Sequence, residues 1–171
     1  MSVSTSSTAQ EQTHEAAPDA ATEVWHALES SSDAPRLLLF TAAGQTCACE
    51  LSAVREIIPF RRATRLPGAP RFVVGLVNLR GSLVTVLDLG LRLGGRGVDV
   101  EKGSIILAEC GTRVVGLGVD DLRDVQRVAR ASIEPAGPDA THDGAICGVL
   151  RTETDIAVLL DVAQIVTHAF A

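Results

Sequence analysis

Two small β-barrels packed on one another are the fold this chain predicts, and three observations carry that expectation. Short apolar runs recur along most of the sequence, and Gly or polar turn residues separate most of them. A stretch also repeats: Gly75 to Leu89 laid on Gly148 to Val162 without a gap matches Gly75 with Gly148, Leu83 with Ile156, Val86 with Leu159 and Asp88 with Asp161. Hydrophobic residues make up 46% of the chain but aromatics only 3%, so the core must be built from Val, Leu, Ile and Ala.

Residues 1 to 35 hold six acids (Glu11, Glu15, Asp19, Glu23, Glu29, Asp33) and no Lys or Arg. They are rich in Ser, Thr and Ala and lack an apolar face up to Glu23, which predicts a disordered acidic tail. Val24, Trp25, Ala27 and Leu28 fit one helical turn, too short to be stable alone.

From Leu37 the pattern turns to β. The runs are LLLFTA, QTCACE, FVVGLVNL, SLVTVLDL, SIILAEC, RVVGLGV, AICGVLRT and DIAVLLD. FVVGLVNL and SLVTVLDL meet at Arg80-Gly81, where a hairpin would use the glycine for a positive φ. GGRG (Gly94 to Gly97) reads as a loop, and GLG (Gly116 to Gly118) as a bend within a strand. A second ungapped match, Leu51 to Ile57 over Val119 to Val125, extends the repeat. Repeats of roughly 65 residues have marginal cores by themselves, so the halves should share apolar surface. The organisation expected is a tail over 1–35 and one domain over 36–171, with repeats at about 36–100 and 101–160. Strand exchange between the repeats would separate the boundary in sequence from any boundary in space.

Asp88 and Asp161 each end a strand where a carboxylate could cap a new helical turn. After the second, Val162, Ile165, Val166, Ala169 and Phe170 follow helical spacing, which predicts a terminal amphipathic helix over 161–171.

The net charge of -6 belongs to the tail, because the rest of the chain has 15 acids against 15 bases. A balanced body exerts no general pull on nucleic acid or anionic membrane. No apolar span suits secretion or membrane insertion, and four cysteines in apolar stretches fit a reducing cytoplasm. Cys47-Ala-Cys49 could aim two thiolates to one side of a strand, but a metal needs further ligands and no second paired motif offers them. Asp120, Asp121 and Asp124 read as solvated acids. No nucleophile elbow, phosphate loop or metalloprotease motif appears, so neither enzyme activity nor a cofactor is expected.

The strongest remaining feature is basic. Arg55, Arg61, Arg62, Arg65, Arg71 and Arg80 lie within a stretch whose only acid is Glu56. Small β-barrels that bind single-stranded nucleic acid are the alternative to weigh, but the body has no Tyr or Trp on which bases could stack. Arg61, Arg62 and Arg71 read as solvated surface charges. Glu56 and Arg80 differ, since each sits in an apolar frame, and a cross-strand ion pair between them is expected.

At this point several segments in order resemble CheW-type chemotaxis coupling proteins. They are Leu39-Phe40, Val54-Arg-Glu56-Ile57-Ile58, Leu66-Pro67-Gly-Ala-Pro70, Val74-Gly75-Leu-Val-Asn78-Leu-Arg80-Gly81 and Val84-Thr-Val-Leu-Asp88-Leu. In the second half Val114-Val-Gly116-Leu-Gly-Val119-Asp120, Val125, Ile133-Glu-Pro135 and Leu159-Leu-Asp161-Val continue the likeness. Arg55 after the valine, the Cys-Ala-Cys strand and the long acidic tail depart from the family pattern.

The resemblance implies a non-enzymatic cytoplasmic adaptor of two five-stranded SH3-like barrels, working at membrane-associated receptor arrays without inserting into the membrane. Its implied partners are the cytoplasmic tip of chemoreceptors and the regulatory domain of the histidine kinase CheA, with no nucleic acid. It also implies that Val54, Glu56, Ile57, Asn78, Arg80 and Gly81 form the receptor-binding edge, beside a groove that accepts receptor helices.

Overall fold

The computed structural model describes residues 34–137 and 143–171. The expected tail disorder and the turn at Trp25 lie outside the described residues. Within them the chain forms β1 (Arg36–Ala42), β2 (Gln45–Glu50), β3 (Val54–Pro59), β4 (Val73–Leu79), β5 (Ser82–Asp88), α1 (Leu89–Arg92), β6 (Ser104–Cys110) and β7 (Arg113–Val119). It continues through β8 (Asp121–Arg127), β9 (Ile133–Pro135), β10 (Ile146–Arg151), β11 (Ile156–Leu160) and α2 (Val162–Ala169). Each of the eight apolar runs became a strand. The other three, β3, β8 and β9, have weaker patterns: β8 is an edge strand of largely exposed residues, including Asp121, Arg123, Asp124 and Arg127, so no apolar run announces it.

The strands form two sheets, in the orders β8-β1-β2-β11-β10-β9 and β3-β6-β7-β5-β4. The pairing is crossed. The β1–β2 hairpin joins the sheet of the later strands through antiparallel β1–β8 and parallel β2–β11 contacts, while β6–β7 joins the earlier strands through antiparallel β3–β6 and parallel β5–β7 contacts. Each half of the chain therefore lends a hairpin to the other. The counts are six and five strands rather than five and five because β9 pairs with β10 as a three-residue strand, whereas the opposite sheet has only the isolated bridge from Thr64 to Leu76 at the corresponding edge.

Three apolar clusters explain why each sheet curls. Ile58, Val77, Val84, Val86, Ile105 and Leu107, all from the five-stranded sheet, form one core. Leu37, Leu39, Ala48, Cys147, Leu150, Ala157 and Leu159, from the six-stranded sheet, form another with Val128 and Ile133. A sheet that buries one face against its own residues must wrap around them. The opposite faces meet in the third cluster, where Leu38, Phe40, Cys47 and Cys49 join Ile106, Ala108, Val115, Leu117 and Val119 under Ile165 and Val166 of α2.

Closure of each barrel forces the backbone together at one glycine. At Gly75 (φ +144°) an added Cβ would stand 2.2 Å from the Thr64 carbonyl oxygen, and at Gly148 it would stand 2.9 Å from the Glu134 carbonyl oxygen. Thr64 and Leu76 exchange two backbone hydrogen bonds of 2.8 Å at that approach. Asp88 and Asp161 are equivalent caps: the Asp88 carboxylate accepts from the Leu91 amide at 3.0 Å and that of Asp161 from the Gln164 amide at 3.1 Å. GLG lies inside β7, as expected: a Cβ at Gly116 would stand 2.8 Å from the Ile105 side chain, and one at Gly118 2.8 Å from the Phe60 ring.

Candidate functional site

β3 positions most of the candidate residues, and one irregularity in it decides where they point. Val54 lies opposite Ala108 but Glu56 opposite Leu107, which leaves Arg55 as an extra, bulged residue. The bulge puts Val54 and Ile57 on the same face, half-buried against the cluster between the barrels. Glu56 turns the other way with Ile58, toward the private core of the five-stranded barrel. Arg55 leans outward, its guanidinium 3.2 Å from the Glu109 carboxylate.

The β4–β5 hairpin supplies the rest. Arg80 and Gly81 both have positive φ, +52° and +87°, the sign pattern of the tight turn that matches strand twist. The Asn78 side-chain oxygen accepts from the Gly81 amide at 3.0 Å and holds the turn closed. Sequence reading anticipated the glycine but not the arginine, because only Gly, Asn and Asp ordinarily signal this backbone.

The Glu56–Arg80 pair expected from the sequence is present and bidentate: Arg80 donates to the two Glu56 carboxylate oxygens at 3.2 and 2.8 Å. β3 and β4 are the two end strands of their sheet, so the pair reaches across the barrel seam. Arg80 keeps 83% of its side chain exposed, so its outer face remains available to a partner. In the six-stranded barrel Arg123 of β8 meets Asp155, just before β11, at 2.9 Å. There the base stands on the strand and the acid on the hairpin, the reverse of Glu56 and Arg80. The Thr46 hydroxyl, more than Arg123, holds the Asp155 carboxyl below its usual range.

Thus the structure brings Glu56, Asn78, Arg80 and Gly81 together at the mouth of one barrel and sets Val54 and Ile57 on the other face of β3, toward the second barrel. The mouth is a cleft of about 260 Å³ rimmed by Arg55, Arg61 and Arg80 over Ile58, Leu79 and Val84. Arg61, a solvated charge by the sequence pattern, is indeed exposed, yet it lines this cleft. The only signal pointing to it was its place in the arginine-rich stretch. A fixed guanidinium beside apolar surface is suited to binding.

Three of the cysteines are chemically quiet. Cys47, Cys49 and Cys147 are buried, and burial pushes each thiol up to about 12, so they remain protonated. No group of three or more His, Cys, Asp or Glu among the described residues could hold a metal ion. No helix among them is long and apolar enough to cross a membrane.

Residues 36–170 match the CheW-like domain family. The chain belongs to the CheW-like family. It is 34% identical over 133 residues to the chemotaxis protein CheW of Rhizobium meliloti, covering 75% of this chain and 85% of that protein. The CheW of Bacillus subtilis is 28% identical over 129 residues, covering 74% and 83%. In three dimensions the chain is similar to the scaffolding protein TtCheW of Thermoanaerobacter tengcongensis, with a TM-score of 0.70 at 28% identity over 77% of this chain and 91% of that one. As a CheW-like protein the chain is a non-enzymatic scaffold of chemotactic signal transduction, the class that couples chemoreceptors to CheA.

Proposed function

We propose that this CheW-like scaffold works in the cytoplasm at membrane-associated arrays. There it grips the cytoplasmic tip of a chemoreceptor along β3 and docks the regulatory domain of CheA. Val54 and Ile57 offer half-buried apolar surface at the groove between the barrels, where an amphipathic receptor helix would lay its apolar face. Glu56 fixes Arg80 beside that edge, with Asn78 and Gly81 shaping the turn that presents it. The observation that carries this reading is the exposed, bidentately held Arg80 on a strained turn. A residue kept in an unfavourable conformation while four-fifths exposed contributes little to its own barrel, and recognition accounts for it.

Reconstitution tests it: receptor signalling fragment and CheA are combined with and without this protein, and kinase autophosphorylation and co-sedimentation are followed. The reading requires receptor-dependent kinase control and a three-part complex only when the protein is present. Absence of both would refute it, and a salt-sensitive shift with single-stranded DNA in their place would favour the nucleic-acid alternative.

A further inference from the structure

We propose that the mouth of the five-stranded barrel is a docking site for the chain's own acidic tail, with the segment Glu23-Val24-Trp25-His26-Ala27-Leu28-Glu29 as its occupant. The argument does not rest on the receptor and kinase assignments, although the site shares Arg80 with the receptor edge proposed above.

The mouth combines two kinds of surface. Its floor exposes part of the barrel's aliphatic core at Ile58, Leu79 and Val84, and its rim carries Arg55, Arg61 and Arg80. Arg55 and Arg80 are engaged by Glu109 and Glu56, but Arg61 makes no ion pair among the described residues, and neither do the exposed Arg62, Arg65 and Arg71 of the same stretch. At about 260 Å³ the cleft falls just below the size of drug-sized sites and suits one large side chain. An occupant should therefore be an apolar or aromatic group flanked by acids.

The tail has that composition. Its acids are not offset by any Lys or Arg up to Pro35, and Glu23 and Glu29 bracket the chain's sole tryptophan. Distance permits the contact as well. The 11 residues from Trp25 to the start of β1 at Arg36 extend up to about 36–40 Å. A folded body of this size has a radius of gyration of about 14 Å, so the extended tether is comparable in length to the width of the body.

Because the chain has one Trp and no Tyr, indole fluorescence reports residue 25 alone. In the full-length protein, acrylamide quenching of Trp25 should be several-fold weaker than in the same protein unfolded in urea. Arg61→Glu should raise it to the unfolded level, and Glu23→Lys with Glu29→Lys should do so too. Combining both sets should restore shielding by reversing the pairing. Circular dichroism confirms that each variant is folded, and the tail variants leave the barrels untouched in any case. Quenching in the native protein equal to that of the unfolded chain, no response to either reversal, or failure of the combined variant to recover would overturn the proposal. Shielding that disappears on dilution would overturn it in favour of a second copy as the occupant.

Discussion

Replacing Arg80 separates a recognition role from a structural one, because the structure bounds what stability the side chain can supply. An ion pair with one partner this exposed contributes about 0–1 kcal/mol, screened further by salt. Against that, holding a non-glycine residue at φ +52° costs about 1–2 kcal/mol. Arg80→Ala removes the pair and keeps the strain, so unfolding in urea should shift by no more than about 1 kcal/mol. Arg80→Gly loses the pair but relieves the strain, and part of that gain is offset by the freer unfolded chain, so it should unfold close to wild type. Binding should respond differently. An arginine that serves as a binding hot spot typically contributes about 2 kcal/mol or more, close to a 30-fold loss of affinity on truncation. Both variants should therefore lose roughly 30-fold in titrations with a receptor tip fragment while remaining folded. Glu56→Ala, which leaves the guanidinium in place but unoriented, should fall between them and wild type. Wild-type receptor affinity in Arg80→Gly would refute the recognition role. Destabilisation of Arg80→Ala by more than about 2 kcal/mol would show instead that the seam depends on the pair.

Other sites give independent checks. Gly75→Ala should destabilise by about 3 kcal/mol or more, because its Cβ would overlap the Thr64 carbonyl; Gly148→Ala, with more room, should cost less, and urea midpoints that fall equally would contradict the closure geometry. Asp161→Ala should cost about 1 kcal/mol through loss of the α2 cap, whereas Asp161→Asn should retain most of it. Burial raises the Asp161 carboxyl, so its protonated form is favoured in the folded state; relative to Asp161→Asn, wild type should gain stability as pH falls and lose that advantage as pH rises through the folded-state value, as measured by urea unfolding across the acid range. Iodoacetamide at pH 8 should label half-exposed Cys110 first, and equal labelling of Cys47, Cys49 and Cys147 without unfolding would contradict their burial.

Much of this was legible in the sequence, and what was not has physical causes. Aliphatic runs located eight strands because buried strands must be apolar, and the caps at Asp88 and Asp161 were readable because capping depends on a single carboxylate at a strand end. The Glu56–Arg80 pair was readable from two charges in apolar frames. The crossed hairpins were open only as a possibility, since which strand pairs with which is decided by contacts distant in sequence. The bulge at Arg55 was invisible for a related reason: it exists only relative to β6, yet it sends Val54 and Ile57 to one face and Glu56 to the other. The position of Arg61 at a cleft is not legible in the sequence, because nothing in its neighbours tells that one opens beside it.

The lent hairpins have a further result for how the protein can be taken apart. A cut between Val100 and Glu101 would leave a front fragment without β6 and β7, two of the three inner strands of the five-stranded sheet, and a back fragment without β1 and β2. Neither piece owns a whole barrel, yet each holds what the other is missing. The molecule is in effect a dimer of its own halves joined by a covalent link, and a load placed on either lobe is felt in both.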